Sequence, residues 1–169
     1  MQENLDRKLK QTALRLAGII PESIVDGEGI RACIYVQGCP HQCAGCHNPH
    51  THNAGGGEEY SLFDITQKIF PNPLLSGLTF SGGEPFTQAE KLAILAKWAK
   101  SNGLNIWCYT GYTYEELLTL SKSNSAIAEL LSLVDMLVDG PFIQEQKDLT
   151  LAFRGSKNQR IIDLRLMEQ

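Results

Sequence analysis

Short alternating apolar runs, each followed by a stretch of helical periodicity, constrain this chain more than any other feature. Ile30 to Val36 puts Ile30, Ala32, Ile34 and Val36 on one side, the period-2 pattern of a strand. Gly77–Ser81, with Leu78 and Phe80, and Asn105–Thr110, with Ile106, Trp107 and Tyr109, read the same way. Val134–Val138 and Arg160–Leu166 complete the set, the last with Ile162, Leu164 and Leu166 in register. Between the strands lie helix starts. Thr87 and Glu90 have capping-box spacing ahead of Leu92, Leu95, Ala96 and Ala99. Thr113 and Glu116 repeat it before Leu117 and Leu120, and Ser61 with Asp64 forms a related start before Ile65 and Ile69. Ser125–Leu133 also reads as helix. Such alternation predicts an α/β fold, a largely parallel sheet with helices outside it.

At 169 residues, with no long internal linker, one domain spanning 1–169 is expected. Residues 1–16 fit either a short amphipathic helix or a loosely packed N-terminal extension. The balance of 15 Lys and Arg against 19 Asp and Glu gives a net charge of −4. That argues against a sequence-independent nucleic-acid binder, which needs a basic surface. No apolar run approaches the roughly 20 residues of a membrane span. Met1–Lys10 is polar and mixed in charge, unlike a secretory signal, so a cytoplasmic protein without membrane or nucleic-acid partners is expected.

Three of the five cysteines, Cys39, Cys43 and Cys46, fall within eight residues directly after the Ile30–Val36 strand. A disulfide framework spreads its cysteines and needs export; clustered thiols are metal ligands or redox groups. Cys33 and Cys108 lie inside apolar alternating runs and read as inert core. For the cluster, three readings stand on the residues alone. Structural zinc would add one of His41, His47, His50 or His52, although zinc motifs ordinarily bring a second pair from far along the chain. Covalent haem matches Cys43-Ala44-Gly45-Cys46-His47, in a chain whose start does not resemble an export signal. An iron–sulfur cubane with three protein thiolates would leave its fourth iron open to a small molecule. Pro40 and Gly45 suit the tight backbone wrapping that this requires.

The spacing Cys39-x3-Cys43-x2-Cys46 resembles that of the radical S-adenosylmethionine (SAM) family. The segment Thr79-Phe80-Ser81-Gly82-Gly83-Glu84-Pro85 resembles that family's Gly-Gly-Glu motif. The resemblance implies an incomplete parallel (β/α) barrel of minimal core, with the site at the carboxyl ends of the strands. It implies a [4Fe-4S] cluster on Cys39, Cys43 and Cys46, its open iron chelated by the amino and carboxylate groups of SAM. Gly82, Gly83 and Glu84 would hold the methionyl ammonium, and the backbone of Gly45, Cys46 and His47 would line the adenosyl part. Glycines let carbonyls approach an ammonium closely, and a carboxylate offsets its charge. For Asp139 two readings stand: binding SAM or a nearby cation, or capping the Gly140-Pro141 turn. No acid–base catalyst is expected, because the cofactors carry the chemistry.

Further segments narrow the resemblance. They are Asp26-Gly27-Glu28-Gly29 before Arg31, Gly38-Cys39 through Pro49, Trp107–Tyr112, Val138–Phe142 and Arg154–Arg160. As a set they resemble the activating proteins of anaerobic ribonucleoside-triphosphate reductase more than those of pyruvate formate-lyase. Gly45 stands where much of the wider family has an aromatic residue, and His52 where tryptophan is expected. The implied activity is reductive SAM cleavage to a 5′-deoxyadenosyl radical that takes a hydrogen from a glycine of the reductase large subunit. An external one-electron donor such as flavodoxin is implied with it. The alternatives are activation of another glycyl-radical enzyme and, in a different class, a non-enzymatic zinc or haem domain. With three of five cysteines used, the two remaining cannot hold a second four-cysteine cluster. Trp98 and Trp107 are expected in the core, and Lys157 and Arg160 at a partner surface or a solvated edge.

Overall fold

Seven strands and five helices follow one another in a computed structural model that describes residues 1–70 and 72–167. The N-terminal stretch resolves as a helix, α1 (Gln2–Gln11), and the start of an eleven-residue strand, β1 (Ala13–Ser23). Leu9, Leu14 and Leu16 are buried, so these residues belong to the core. After β1 come β2 (Ile30–Val36), β3 (Glu58–Ser61), α2 (Leu62–Ile69), β4 (Leu75–Gly82) and α3 (Ala89–Ser101). Then follow β5 (Asn105–Tyr109), α4 (Tyr114–Ser121), α5 (Ser125–Leu133), β6 (Met136–Asp139) and β7 (Arg160–Asp163).

The sheet order is β3-β1-β2-β4-β5-β6-β7. Its centre, β2-β4-β5-β6, is parallel, but β1 runs antiparallel to β2 and β3, and β7 runs antiparallel to β6. The expected largely parallel sheet is therefore corrected to a mixed one. Parallel and antiparallel strands share the same period of 2, so periodicity alone cannot separate them. β1 escapes a pattern reading because its register shifts twice, between Leu16 and Gly18 and between Ile20 and Ser23, around Pro21. Proline survives there because β3 pairs only with Ala13–Leu16, leaving that side of the strand open. β3, Glu-Glu-Tyr-Ser, is a short charged edge with no apolar alternation.

Helix starts follow local chemistry closely. At α4 the capping box forms: the Glu116 N–H donates to Thr113 Oγ1 at 3.2 Å, and the Thr113 N–H donates to Glu116 Oε2 at 2.7 Å. Ser61 caps α2 at 3.0 Å, and Asn124 caps α5. The Thr87–Glu90 box does not form. Pro85 opens a 3₁₀ turn, Pro85–Gln88, whose cap is the Glu84 side chain, and Thr87 Oγ1 donates to the Glu84 carbonyl at 2.7 Å. α3 starts only at Ala89. Likewise the last strand ends at Asp163, and Leu164–Leu166 turns as 3₁₀ with Leu166 exposed.

The alternation divides the sheet into two chemically different faces. Leu14, Leu16, Ala32, Ile34, Val36, Leu78, Phe80, Ile106, Cys108 and Leu137 join the helices' apolar residues, among them Leu92, Leu95, Ala96 and Ala99, in one core. The opposite face carries Arg31, Cys33, Tyr35, Thr79, Trp107 and Tyr109. Trp98 and Trp107 are both buried, as expected. Burial, helped by the charge of Asp26, pushes the Cys33 thiol up to about 12, and burial raises Cys108 as well. Neither presents thiolate near neutral pH. No helix among the described residues is long and apolar enough to cross a membrane.

Two predictions follow from the packing. Leu14→Ala should cost about 2–5 kcal/mol in urea unfolding, against about 1 kcal/mol for loss of the cap in Thr113→Ala. Equal costs would mean that β1 is not integral to the core. Iodoacetamide at pH 8 should modify Cys39, Cys43 and Cys46 of the native apoprotein and spare Cys33 and Cys108 until denaturant is added. Rapid native labelling of either buried thiol, read by peptide mass spectrometry, would contradict the burial.

Candidate cluster and cofactor site

The four parallel strands end side by side, and the chain leaving each contributes to one cavity of about 500 Å³. This is the end of an α/β sheet where ligands collect, and the volume suits a small molecule. Cys39, Cys43 and Cys46 line it, together with Gly82 and Gly83, the Tyr35 and Tyr109 rings, His47 and Phe142.

The loop after β2 is closed at its base before the cysteines begin. The Gly38 N–H donates to the Thr51 carbonyl at 2.7 Å, and Gln37 Nε2 spans the carbonyls of His50 and Asn53 at 2.8 and 2.7 Å. Inside it the chain turns tightly: the Cys46 N–H donates to the Cys43 carbonyl at 3.1 Å, and Gln42 and Gly45 are left-handed, at φ 49° and 72°. A Cβ at position 45 would also lie 2.9 Å from the end of the Gln144 side chain. The Asn48 N–H donates to Cys46 Sγ at 3.4 Å. Burial, the largest influence, raises the Cys39 thiol, while the N–H groups of His41 and Gln42 work in the opposite direction.

All three thiols are free and face one cavity, which suits an iron–sulfur cluster whose cysteines each take a different iron. Among the described residues, no group of three or more His, Cys, Asp or Glu side chains is already placed to hold a single metal ion. His41 lines the same cavity, its Nε2 lying 2.7 Å from Glu84, and His47 packs against Phe142 with ring centroids 5.0 Å apart.

Gly82 and Gly83 line the cavity and also make the seam between β4 and the cysteine loop. The Gly83 N–H donates to the Val36 carbonyl and the Glu84 N–H to the Gly38 carbonyl, both at 2.8 Å. A Cβ on Gly83 would sit 2.2 Å from the Gly38 oxygen, and one on Gly82 2.6 Å from the Val36 nitrogen. Only glycine permits that approach. Glu84 lies behind the cavity wall, fully buried. Oε1 accepts from the Phe86 N–H at 3.1 Å and the Thr110 hydroxyl at 2.9 Å. Oε2 accepts from the Gly111 N–H at 2.9 Å and stands 2.7 Å from His41 Nε2. The sequence reading aimed this carboxylate at an ammonium; in the fold its oxygens already hold protein donors.

Asp139 is buried too, and its carboxylate is paired within the protein. It accepts from the Tyr114 N–H at 2.8 Å and from Arg160 Nε at 3.0 Å. Arg160 also reaches Glu115 at 2.8 Å, and its hydrogen bonds to Asp139 and Glu115 raise its pKa. Lys157 lies on the surface near Asp148 at 3.9 Å. The Val138–Phe142 and Arg154–Arg160 segments fold on each other: Gln159 Nε2 donates to the Gly140 carbonyl at 3.1 Å and Asn158 Nδ2 to the Pro141 carbonyl at 2.7 Å. Tyr35, Tyr109, Thr110 and Gly111 complete the surroundings of the site without having been singled out individually. The only signal for the last three was the Trp107–Tyr112 run, read as a family mark.

Comparison with known proteins agrees with this arrangement. A family model described as a 4Fe-4S single cluster domain matches residues 25–162. The anaerobic ribonucleoside-triphosphate reductase-activating protein of Salmonella typhi is 35% identical over 154 residues, covering 86% of this chain and 96% of that protein. The protein of the same name from Vibrio cholerae is 39% identical over 150 residues, covering 83% and 92%. That of Escherichia coli K12 is 36% identical over 155 residues, covering 86% and 96%. A chain with the thiol-lined cavity of a 4Fe-4S domain, matched to these relatives along nearly their whole length, belongs to the family of anaerobic ribonucleoside-triphosphate reductase-activating proteins.

Proposed function

We propose that this chain installs the glycyl radical of an anaerobic ribonucleoside-triphosphate reductase, using a [4Fe-4S] cluster on Cys39, Cys43 and Cys46 and SAM bound beside it. The observation that carries the reading is the meeting of three free thiols and two close-packed glycines on one cavity at the ends of the parallel strands. Cys39, Cys43 and Cys46 would hold the cluster, and the chemistry it would supply is one-electron reduction of SAM, the source of the 5′-deoxyadenosyl radical needed to take a hydrogen from the reductase glycine.

The chain's own part is to bind, orient and exclude. Gly82 and Gly83 line the cavity with the thiols, and their main-chain groups take the methionyl ammonium. Glu84 contributes by fixing the wall in which those glycines stand. The backbone of Gly45–His47 lines the adenosyl side. Asp139 braces the end of β6 through Arg160. The sheet, acting as an incomplete (β/α) barrel within a single domain, keeps Tyr35 and Tyr109 against the cavity.

Ile24 (74% exposed), Val25 (71%) and Leu149 (83%) lie at or beside the mouth, and Val25 and Leu149 line it. An apolar rim of this kind suits a protein partner that inserts a loop. A glycine at the tip of that loop has no side chain to hold it off, and its backbone radical is stabilised by the flanking amides. Free clustered thiols fit a reducing, cytoplasmic setting and a one-electron donor such as flavodoxin.

The test is anaerobic reconstitution with iron and sulfide, reduction in the presence of SAM and the reductase, and assay of 5′-deoxyadenosine with electron paramagnetic resonance for the glycyl radical. Wild type should give both signals, and Cys43→Ala neither. A wild type that binds one zinc ion, or forms no 5′-deoxyadenosine with any reductant, would sink the proposal.

A further inference from the structure

Met1 aside, the three most exposed large apolar side chains among the described residues are Leu149, Ile24 and Val25. Val25 and Leu149 also line the cavity, and Ile24 adjoins Val25 in the chain, so all three gather at its mouth. They come from two loops: Ile24 and Val25 from the turn between β1 and β2, Leu149 from the loop between β6 and β7. A lone apolar residue on a surface means little, but three around one opening mark an interaction site.

The second of these loops is built rather than slack. At its base the Asp148 N–H donates to the Gly155 carbonyl at 3.2 Å, and the Lys157 N–H to the Gln146 carbonyl at 3.0 Å. Within it, Asp148 Oδ1 accepts from the Thr150 N–H at 2.9 Å and the Thr150 hydroxyl at 2.6 Å. Arg154 Nη1 donates to the Gln159 carbonyl at 2.6 Å. These polar side chains are engaged close by, while Leu149 is left to solvent. Phe153 is left-handed at φ 59°, a conformation that a bulky residue keeps only where contacts hold it. Two contacts do. The Tyr109 hydroxyl donates to the Phe153 carbonyl at 2.6 Å, and the Phe153 ring meets Trp107 edge-on with centroids 5.3 Å apart. Tyr109 and Trp107 both stand on β5, so the sheet that forms the site also shapes the loop.

We propose that the Asp148–Gly155 loop is a preformed docking jaw for the reductase: with Ile24 and Val25 it grips the segment that carries the target glycine, and Tyr109 and Phe153 are the positioning residues that keep it in shape. The inference rests on the function proposed above and names the surface that its partner must cross. The atom attacked in that function is a backbone carbon of another protein, and the cavity lies behind this mouth, so the segment bearing it passes these side chains. A jaw ordered before the partner arrives spares the entropy of ordering it on binding.

The experiment measures the affinity of reconstituted activase for the anaerobic ribonucleoside-triphosphate reductase by anaerobic biolayer interferometry, and follows amide hydrogen exchange of the loop by mass spectrometry. Leu149→Asp should take up wild-type iron and sulfide yet bind the reductase roughly tenfold or more weakly, and Ile24→Asp should do the same. Leu74→Asp is the control. That leucine is 69% exposed just before β4, at the other end of the parallel strands, and its replacement should leave the affinity unchanged. Tyr109→Phe removes only the hydroxyl; it should speed exchange across residues 148–155 and weaken reductase binding. Wild-type affinity in Leu149→Asp, or an equal loss in Leu74→Asp, would overturn the docking surface. Wild-type affinity in Tyr109→Phe, whatever its exchange, would overturn the positioning role. A wild type with no measurable affinity for the reductase is a separate result, which removes the proposed function and this inference with it.

Discussion

The carboxylate of Glu84 joins three pieces of chain that have no local reason to meet. Phe86 belongs to the turn after β4, Thr110 and Gly111 to the end of β5, and His41 to the cysteine loop after β2. Sealing a charge inside a protein is costly unless donors surround it, and here groups of Phe86, Thr110, Gly111 and His41 do. The same donors would be stranded if the carboxylate were removed. The main-chain seam of Gly83 to Val36 and Glu84 to Gly38 runs directly beneath it. The position of the thiols relative to the glycines is thus fixed by one buried anion and two backbone hydrogen bonds.

Toward the other end of the strands a buried cation does comparable work. Arg31 is fully buried, and none of its hydrogen bonds goes to a carboxylate. It donates to Thr79 Oγ1 and the Leu78 carbonyl at 2.7 Å and to the Glu28 carbonyl at 3.0 Å, with its guanidinium 5.5 Å from the Trp107 ring centroid. Burial lowers its pKa to about 10, which still leaves it charged at neutral pH. The planar fork bridges β2 and β4 from the face opposite the helices, a geometry that lysine could not reproduce. Between Arg31 and Glu84 the polar face of the sheet is held at both ends, while the apolar face is held by packing.

How much of this was legible in the sequence depends on the distance over which each feature is decided. The central strands and the caps at Thr113, Ser61 and Asn124 are local, and spacing or residue type gives them. The Thr87–Glu90 pair has the right spacing, but Pro85 and Glu84 claim the turn first. β1 is hidden by two register shifts, β3 by its polar edge, and the direction of the outer strands by a period common to both arrangements. At the site, the cysteines and glycines stand out because tight turns and close approaches demand those residue types. The partners of Glu84 do not, since His41 lies 43 positions away and Thr110 lies 26. Asp139 was visible as a polar residue ending a strand, but its commitment to Arg160 arises only when β7 folds back on β6.

The central claim is a cluster held by three cysteines, with one iron left for a small molecule. Mössbauer spectroscopy of protein reconstituted with iron-57 tests it most directly. Adding SAM should change the signal of roughly one iron in four and leave the others as they were. Spectra unaffected by SAM, or equal change at every iron, would contradict the account.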